Sequence, residues 1–104
     1  MEISFFSKNI EIFIEEMDAL TIAKALRTLD LLVKFSNKLS MPHSKKIERN
    51  LFELRIRGKQ ELRILYCFHK NAIVLLHAFI KKTQKIPQKH ILLAKKRLDS
   101  LENT

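Results

Sequence analysis

The sequence predicts an α+β fold: a short strand, two helices, a meander of three strands and a closing helix, giving a mostly antiparallel four-stranded sheet with two N-terminal helices and one C-terminal helix. Three observations carry this. Apolar residues between Ile10 and Val33 recur at helical spacing. From Leu51 the period switches to alternation, the mark of strands. Pro87 stands where a last helix would begin, and proline fits the first turn of a helix.

Residues 2–6, Glu-Ile-Ser-Phe-Phe, read as a strand, and Ser7 is placed to cap the helix after it. Ile10, Phe13, Ile14 and Met17 form the apolar side of that helix, with Glu11, Glu15 and Glu16 mostly opposite. The step from Met17 to Ile22 breaks the phase, so Ile22, Leu26, Leu29 and Val33 read as the stripe of a second helix, packed back on the first and running to about Lys38. Met41-Pro42-His43-Ser44 is a loop, because proline disfavours helix in the residue before it. Phe52, Leu54 and Ile56 then alternate with Glu53, Arg55 and Arg57. A turn near Gly58 leads to Leu62–Phe68, and a turn at Lys70-Asn71 leads to Ala72–Ile80, both almost wholly apolar. Strands apolar on both faces belong in the middle of a sheet or under cover. Ile91, Leu92, Leu98 and Leu101 give the closing helix, about 87–101, an apolar side, and Lys95, Lys96 and Arg97 give it a basic one.

At 104 residues and 46% hydrophobic, the chain suits a single domain over 1–104 with one core. Its charge of +9 is lopsided. Residues 1–42 carry five Lys/Arg against six Asp/Glu, whereas residues 43–104 carry fifteen against five. Such an asymmetry points to a binding face for a polyanion, nucleic acid or an anionic surface. The single cysteine, Cys67, excludes an internal disulfide and a thiolate-built metal site. Glu2 and Ser4 interrupt any apolar leader, and no apolar run approaches the ~20 residues of a membrane span, so a cytoplasmic setting is expected.

Strand register turns this outline into a site. Pairing Phe52, Leu54 and Ile56 with Tyr66, Ile64 and Leu62 sets every apolar residue against another and leaves Gly58 in the loop, free to adopt positive φ. It also sets Arg55 opposite Arg63 and Arg57 opposite Glu61. A two-residue turn at Lys70-Asn71 then pairs Tyr66 with Leu75 and Arg63 with Ala78. Parity sends Lys82 to the Arg63 face and Lys81, His77 and Phe79 to the other. Arg55, Arg57, Arg63 and Lys82 thus share a face. A generic basic strand is a solvated face with Arg stems over apolar neighbours. Here, however, Arg63 lies inside an apolar strand, faces another arginine, and belongs to the half holding the excess charge. Like charges directly opposite are destabilising, so truncating Arg63 is expected to relieve repulsion and leave stability unchanged or raised.

At these residues a family resemblance emerges. Leu51-Phe52-Glu53-Leu54-Arg55, Arg63-Ile64-Leu65-Tyr66 and Leu76-His77-Ala78-Phe79-Ile80-Lys81-Lys82-Thr83-Gln84-Lys85-Ile86-Pro87, in this order, resemble the phage-derived HigB-like branch of the RelE toxin superfamily. Pro42-His43-Ser44-Lys45-Lys46 and Ala94-Lys95-Lys96-Arg97 fit as well. The resemblance implies a RelE-like, small-ribonuclease-type fold and a toxin of a type II toxin–antitoxin system. Such toxins cleave messenger RNA on the ribosome and are neutralised by an adjacently encoded antitoxin, in this branch commonly a helix-turn-helix protein. Carried over by position, Arg63, Lys82 and Arg55 would be catalytic, and Arg57, Lys45, Lys46 and Lys85 would bind RNA. Several relatives place a tyrosine, or a histidine beside a tyrosine, near the C-terminus as an acid or base. Here the only tyrosine is Tyr66, on the apolar face of a strand, and Gln88 and His90 occupy that region.

The implied reaction is attack of a ribose 2′-OH on the adjacent phosphate, with cations stabilising the phosphorane and no metal or cofactor required. His43, in the basic loop, and His90, opening the last helix, are the candidate acid and base. His69 at a turn, His77 on the packed face and Cys67 in the core read as structural. Two rivals remain open: a non-catalytic RNA- or DNA-binding module, and a protein whose basic face serves only an acidic partner such as an antitoxin.

Overall fold

The computed structural model describes residues 1–103. The elements are β1 (Glu2–Phe5), α1 (Lys8–Glu15), α2 (Ala19–Phe35), a 3₁₀ turn (Ser36–Lys38), β2 (Ser44–Glu48), β3 (Leu51–Ile56), β4 (Leu62–His69), β5 (Ala72–Ile80) and α3 (Gln88–Glu102). The strands form one five-stranded sheet in the order β1-β5-β4-β3-β2. β1 runs parallel to β5, and the other neighbours are antiparallel. The expected four strands are therefore five. The missed one, β2, reads Ser-Lys-Lys-Ile-Glu and has no apolar alternation, because it is an edge strand whose lysines keep that edge wet. Ser44, assigned to the loop, begins it. The architecture remains α+β and is broadly consistent with a RelE-like fold.

Helices cover both faces of the sheet. α1 and α2 lie on the face of Leu54, Ile56, Leu62, Ile64 and Tyr66. α3 lies on the face of Leu51, Leu65, Cys67 and Leu76, which it covers with Ala94 and Leu98. This double cover explains the two-sided apolar sequence of β4 and β5, which lie inside the sheet.

The break between α1 and α2 falls where the phase of the stripes breaks. Asp18 caps α2, its Oδ1 accepting the Thr21 N–H at 2.7 Å. Ser7 sits at the N-cap of α1 in an extended conformation but its side chain makes no capping bond. α2 is rotated relative to its expected stripe. Its buried residues are Thr21, Ala25, Thr28, Leu29 and Leu32, while Leu26 and Val33 are exposed. The sheet accepts the flank carrying the small Ala25 and the two threonines, which allow close approach, and Thr28 satisfies its hydroxyl on the Lys24 carbonyl. Likewise Leu92 of α3, expected on the apolar side, is exposed, and Ala94 takes the inner place.

The turns follow their sequences, with one correction. Lys70 and Asn71 both have positive φ, 48° and 63°, as a two-residue hairpin turn requires. Gly58 does not adopt positive φ. A Cβ there would come to 3.0 Å from the Lys24 amine, the far end of a flexible side chain. Asn50, with φ 52°, turns the β2–β3 hairpin. Its side-chain amide pairs with the Phe68 backbone, accepting from N–H at 3.0 Å and donating to the carbonyl at 2.9 Å. Asn50→Ala should therefore cost about 2 kcal/mol, from two lost hydrogen bonds and a left-handed backbone that alanine dislikes. Asn50→Gly, which tolerates that backbone, should cost less; urea unfolding of the two variants measures both.

Candidate nucleic-acid interface

The β3–β4 register is the expected one. Phe52 pairs with Tyr66, Leu54 with Ile64, Ile56 with Leu62, and Arg55 faces Arg63. The β4–β5 register starts as expected, with Tyr66 against Leu75, and then departs. A bulge inserts Leu76 as an extra residue, so Leu65 pairs with His77 and Arg63 pairs with Phe79 instead of Ala78. Side-chain parity inverts beyond that point. Phe79 and Lys81 take the Arg63 face, and the Lys81 N–H continues the pairing by donating to the Glu61 carbonyl at 2.8 Å. Lys82 is not on that face by parity. It still borders the site, because the strand ends at Ile80 and the chain turns.

What forms is a cleft of about 520 Å³ lined by Arg55, Arg57, Glu61, Arg63, Lys81, Lys82, Thr83 and Gln84. Of the sequence-predicted residues, Arg55, Arg57, Arg63 and Lys82 meet here. Lys45 pairs with Glu53 on β2 and so shares the sheet face of Arg55, whereas Lys46 pairs with Phe52 and faces the opposite side. Lys85 is exposed in the loop before α3 and outside the cleft wall. His43 belongs to a neighbouring hollow bounded by Lys24, Arg27, Pro42, Arg55 and Arg57. Arg55 and Arg57 form the ridge shared by both depressions.

Arg63 is the residue whose environment the sequence reading missed. Its side chain is 2% exposed. Its guanidinium is taken up by acceptors: Nη1 donates to the Leu62 carbonyl at 3.0 Å, Nη2 to Glu61 Oε1 at 2.9 Å, and Nε lies 3.3 Å from Glu53 Oε2. The Glu53 contact is an ion pair without hydrogen-bond alignment, and Glu53 also lies 3.7 Å from Arg55 Nε. Glu53 is itself buried, so the two opposed arginines flank a carboxylate and their repulsion is offset. The signal was present: Glu53 has the parity of Arg55 and lies diagonal to Arg63 across the hairpin. Burial works to raise the Glu61 carboxyl, but hydrogen bonds from Arg63 and the Gly58 N–H, with the charges of Arg63 and Arg57, outweigh it and hold the group below the usual carboxylate range.

The remaining acid–base candidates lie outside the cleft wall. Tyr66 is buried on the α2 face, hydrogen-bonded to Ser44, and burial raises its hydroxyl. Burial pushes the Cys67 thiol up to about 11. His90 stacks on Phe79 with ring centres 4.0 Å apart, and its Nδ1 is hydrogen-bonded to His77 Nε2 at 2.8 Å. Burial lowers both histidines. His77, with His90 and Arg97 beside it, falls to about 4, and Lys89 adds to the effect at His90.

Residues 12–99 match the family described as phage-derived protein Gp49-like. The chain belongs to this family. Gp49-like proteins are a RelE/toxin-like family, which makes the chain a phage-derived, toxin-like protein. No curated protein matches it. No helix of the Gp49-like chain, among the described residues, is long and apolar enough to cross a membrane.

Two expectations follow. Arg63→Ala should destabilise the protein by about 3–5 kcal/mol in chemical denaturation, the reverse of the sequence-based expectation, because it strands a buried carboxylate. Replacing Arg63 and Glu53 together by leucine should cost less than Arg63→Ala alone. For His77, the folded chain stays neutral down to about pH 4 while the unfolded chain protonates near 6.5. The stabilising preference for neutral His77 is thus present above pH 6.5 and lost as pH falls from 6.5 towards 4. The melting temperature of His77→Phe should therefore decline less over that interval than that of the parent, which a pH series of thermal melts will show.

Proposed function

We propose that this chain is the toxin of a type II toxin–antitoxin system, of the HigB-like branch, acting as a ribosome-dependent endoribonuclease on translated messenger RNA. The observation that carries the reading is the cleft itself. Arginines and lysines from β3, β4 and the loop after β5 converge on one depression with a single carboxylate in its wall. Planar guanidinium forks and ammonium groups so gathered suit the phosphates of a nucleic-acid backbone.

In this reading Arg57, Lys45 and Lys85 hold the backbone, with Lys46 reaching it only from the opposite face. Arg55, Lys81 and Lys82 neutralise charge that develops on the phosphate as the neighbouring 2′-OH attacks. Arg63 stands behind them at the cleft wall. With its histidines outside the cleft, the chain would depend on the ribosome to orient the 2′-OH and to supply proton transfer, and His43, across the Arg55–Arg57 ridge, is the histidine placed to assist. His90, lowered and engaged with His77, is not poised to donate a proton at neutral pH. The partner would be an adjacently encoded helix-turn-helix antitoxin whose acidic or amphipathic segment covers the cleft.

The absence of a tyrosine or histidine from the cleft wall favours one rival, a non-catalytic RNA- or DNA-binding module. Expression separates the two. Induced alone in a bacterial host, the chain should arrest growth and cut ribosome-bound message; normal growth at confirmed soluble expression, with RNA binding intact, would favour the rival. Arg55→Ala, Lys81→Ala and Lys82→Ala should each lower cleavage by about 10²–10³. Lys82→Ala, at an exposed loop position, should leave stability within about 0.5 kcal/mol. A neutral Lys81→Ala would contradict the bulge-shifted register.

A further inference from the structure

The innermost cation of the cleft already holds an anion. Glu61 Oε1 lies 2.9 Å from Arg63 Nη2 and 4.0 Å from Arg57 Nε. Its Oε2 accepts the Gly58 backbone N–H at 3.1 Å. A guanidinium and a turn amide donating to one anion, with a second guanidinium alongside, suit a single phosphate group. Of the partners around Arg63, Glu53 and the Leu62 carbonyl belong to strands and are buried with it. Glu61 lies just ahead of β4, at the end of the turn from β3, and its side chain is 35% exposed. It is the member of the set that can leave.

We propose that Glu61 is an internal stand-in for the substrate phosphate, filling the anion seat on Arg63 in the free protein and swinging out before a phosphate reaches that guanidinium. This rests on the reading of the cleft as a phosphate-binding face and adds how its deepest cation is reached. The arrangement keeps a buried arginine from standing unpaired when no ligand is bound. It also sets a threshold: an incoming anion must displace a carboxylate, so an isolated anion binds weakly. A phosphate on a polynucleotide, held also by Arg57, Lys81 and Lys82, displaces it more readily.

Sulfate is a suitable probe because its charge is constant near neutral pH. It would be titrated into the parent, Glu61→Gln and Glu61→Asp, following the Arg63 Nε–H resonance by NMR and confirming folding by thermal melts. Glu61→Gln should tighten binding about tenfold, the worth of one charge-assisted hydrogen bond no longer opposed. Glu61→Asp keeps the charge but withdraws the carboxylate by one methylene, so it should also tighten, by less, and keeps the proposal testable if the glutamine variant folds poorly. In every case the Arg63 resonance should shift with the binding midpoint. Tightening by the glutamine variant alone would mark a general charge effect and overturn the proposal. So would equal affinity in all three proteins, or binding that leaves the Arg63 resonance unmoved, although the cleft would then still bind anions. Sulfate binding by none of the three would overturn both this proposal and the phosphate-binding reading of the cleft.

Discussion

The hairpin of β3 and β4 is organised around one buried charge. Arg63 sits in the middle of an apolar sheet, and a lone guanidinium there would be prohibitively costly to desolvate. It is tolerated because Glu53 and Glu61 approach it from two sides and the Leu62 carbonyl from a third. That constraint propagates outward. Glu53 must be buried, which draws Arg55 to its second oxygen. Glu61 must reach back from the turn, which leads it to accept the Gly58 N–H and places it beside Arg57. The basic cleft is in this sense the solvent side of an ion network whose other side is core.

Such a network is weak as a source of stability, since desolvation consumes most of its Coulomb attraction. Its use is positional. Opposed arginines on adjacent strands would splay in the absence of an anion between them. With Glu53 interposed, they are held at fixed places along the sheet. A solvated patch of lysines would provide the same charge without that placement.

Much of this was legible in the chain. The switch of period at Leu51, the phase break after Met17 and the Lys70-Asn71 turn fixed the order of the elements, and the apolar matching of Phe52, Leu54 and Ile56 fixed the β3–β4 register. What was not legible had physical causes. β2 carries lysines on both sides of an edge and so shows no alternation. The rotation of α2 depends on the small residues Thr21, Ala25 and Thr28, which a hydrophobic stripe ignores. The bulge at Leu76 has no mark in a run of apolar residues, yet it exchanges the places of Lys81 and Lys82 relative to Arg63. Four of the cations are legible in the sequence, as is Glu61 opposite Arg57; the role of Glu53 is not, because arginine facing arginine reads as repulsion until the residue diagonally between them is considered.

β1 pairs only with Ala72–Leu75, leaving the outer edge of β5 from Leu76 to Ile80 without a neighbouring strand among the described residues. An open edge of apolar residues is a template on which a second chain could add and begin a fibril. The Leu76 bulge and the Arg97 guanidinium, which donates to the Leu76 carbonyl at 2.6 Å, interrupt that template at one end, and the Lys81-Lys82 pair repels a like chain at the other. Lys81 and Lys82, which line the basic cleft, thus also guard the adjacent edge against a second copy of the chain.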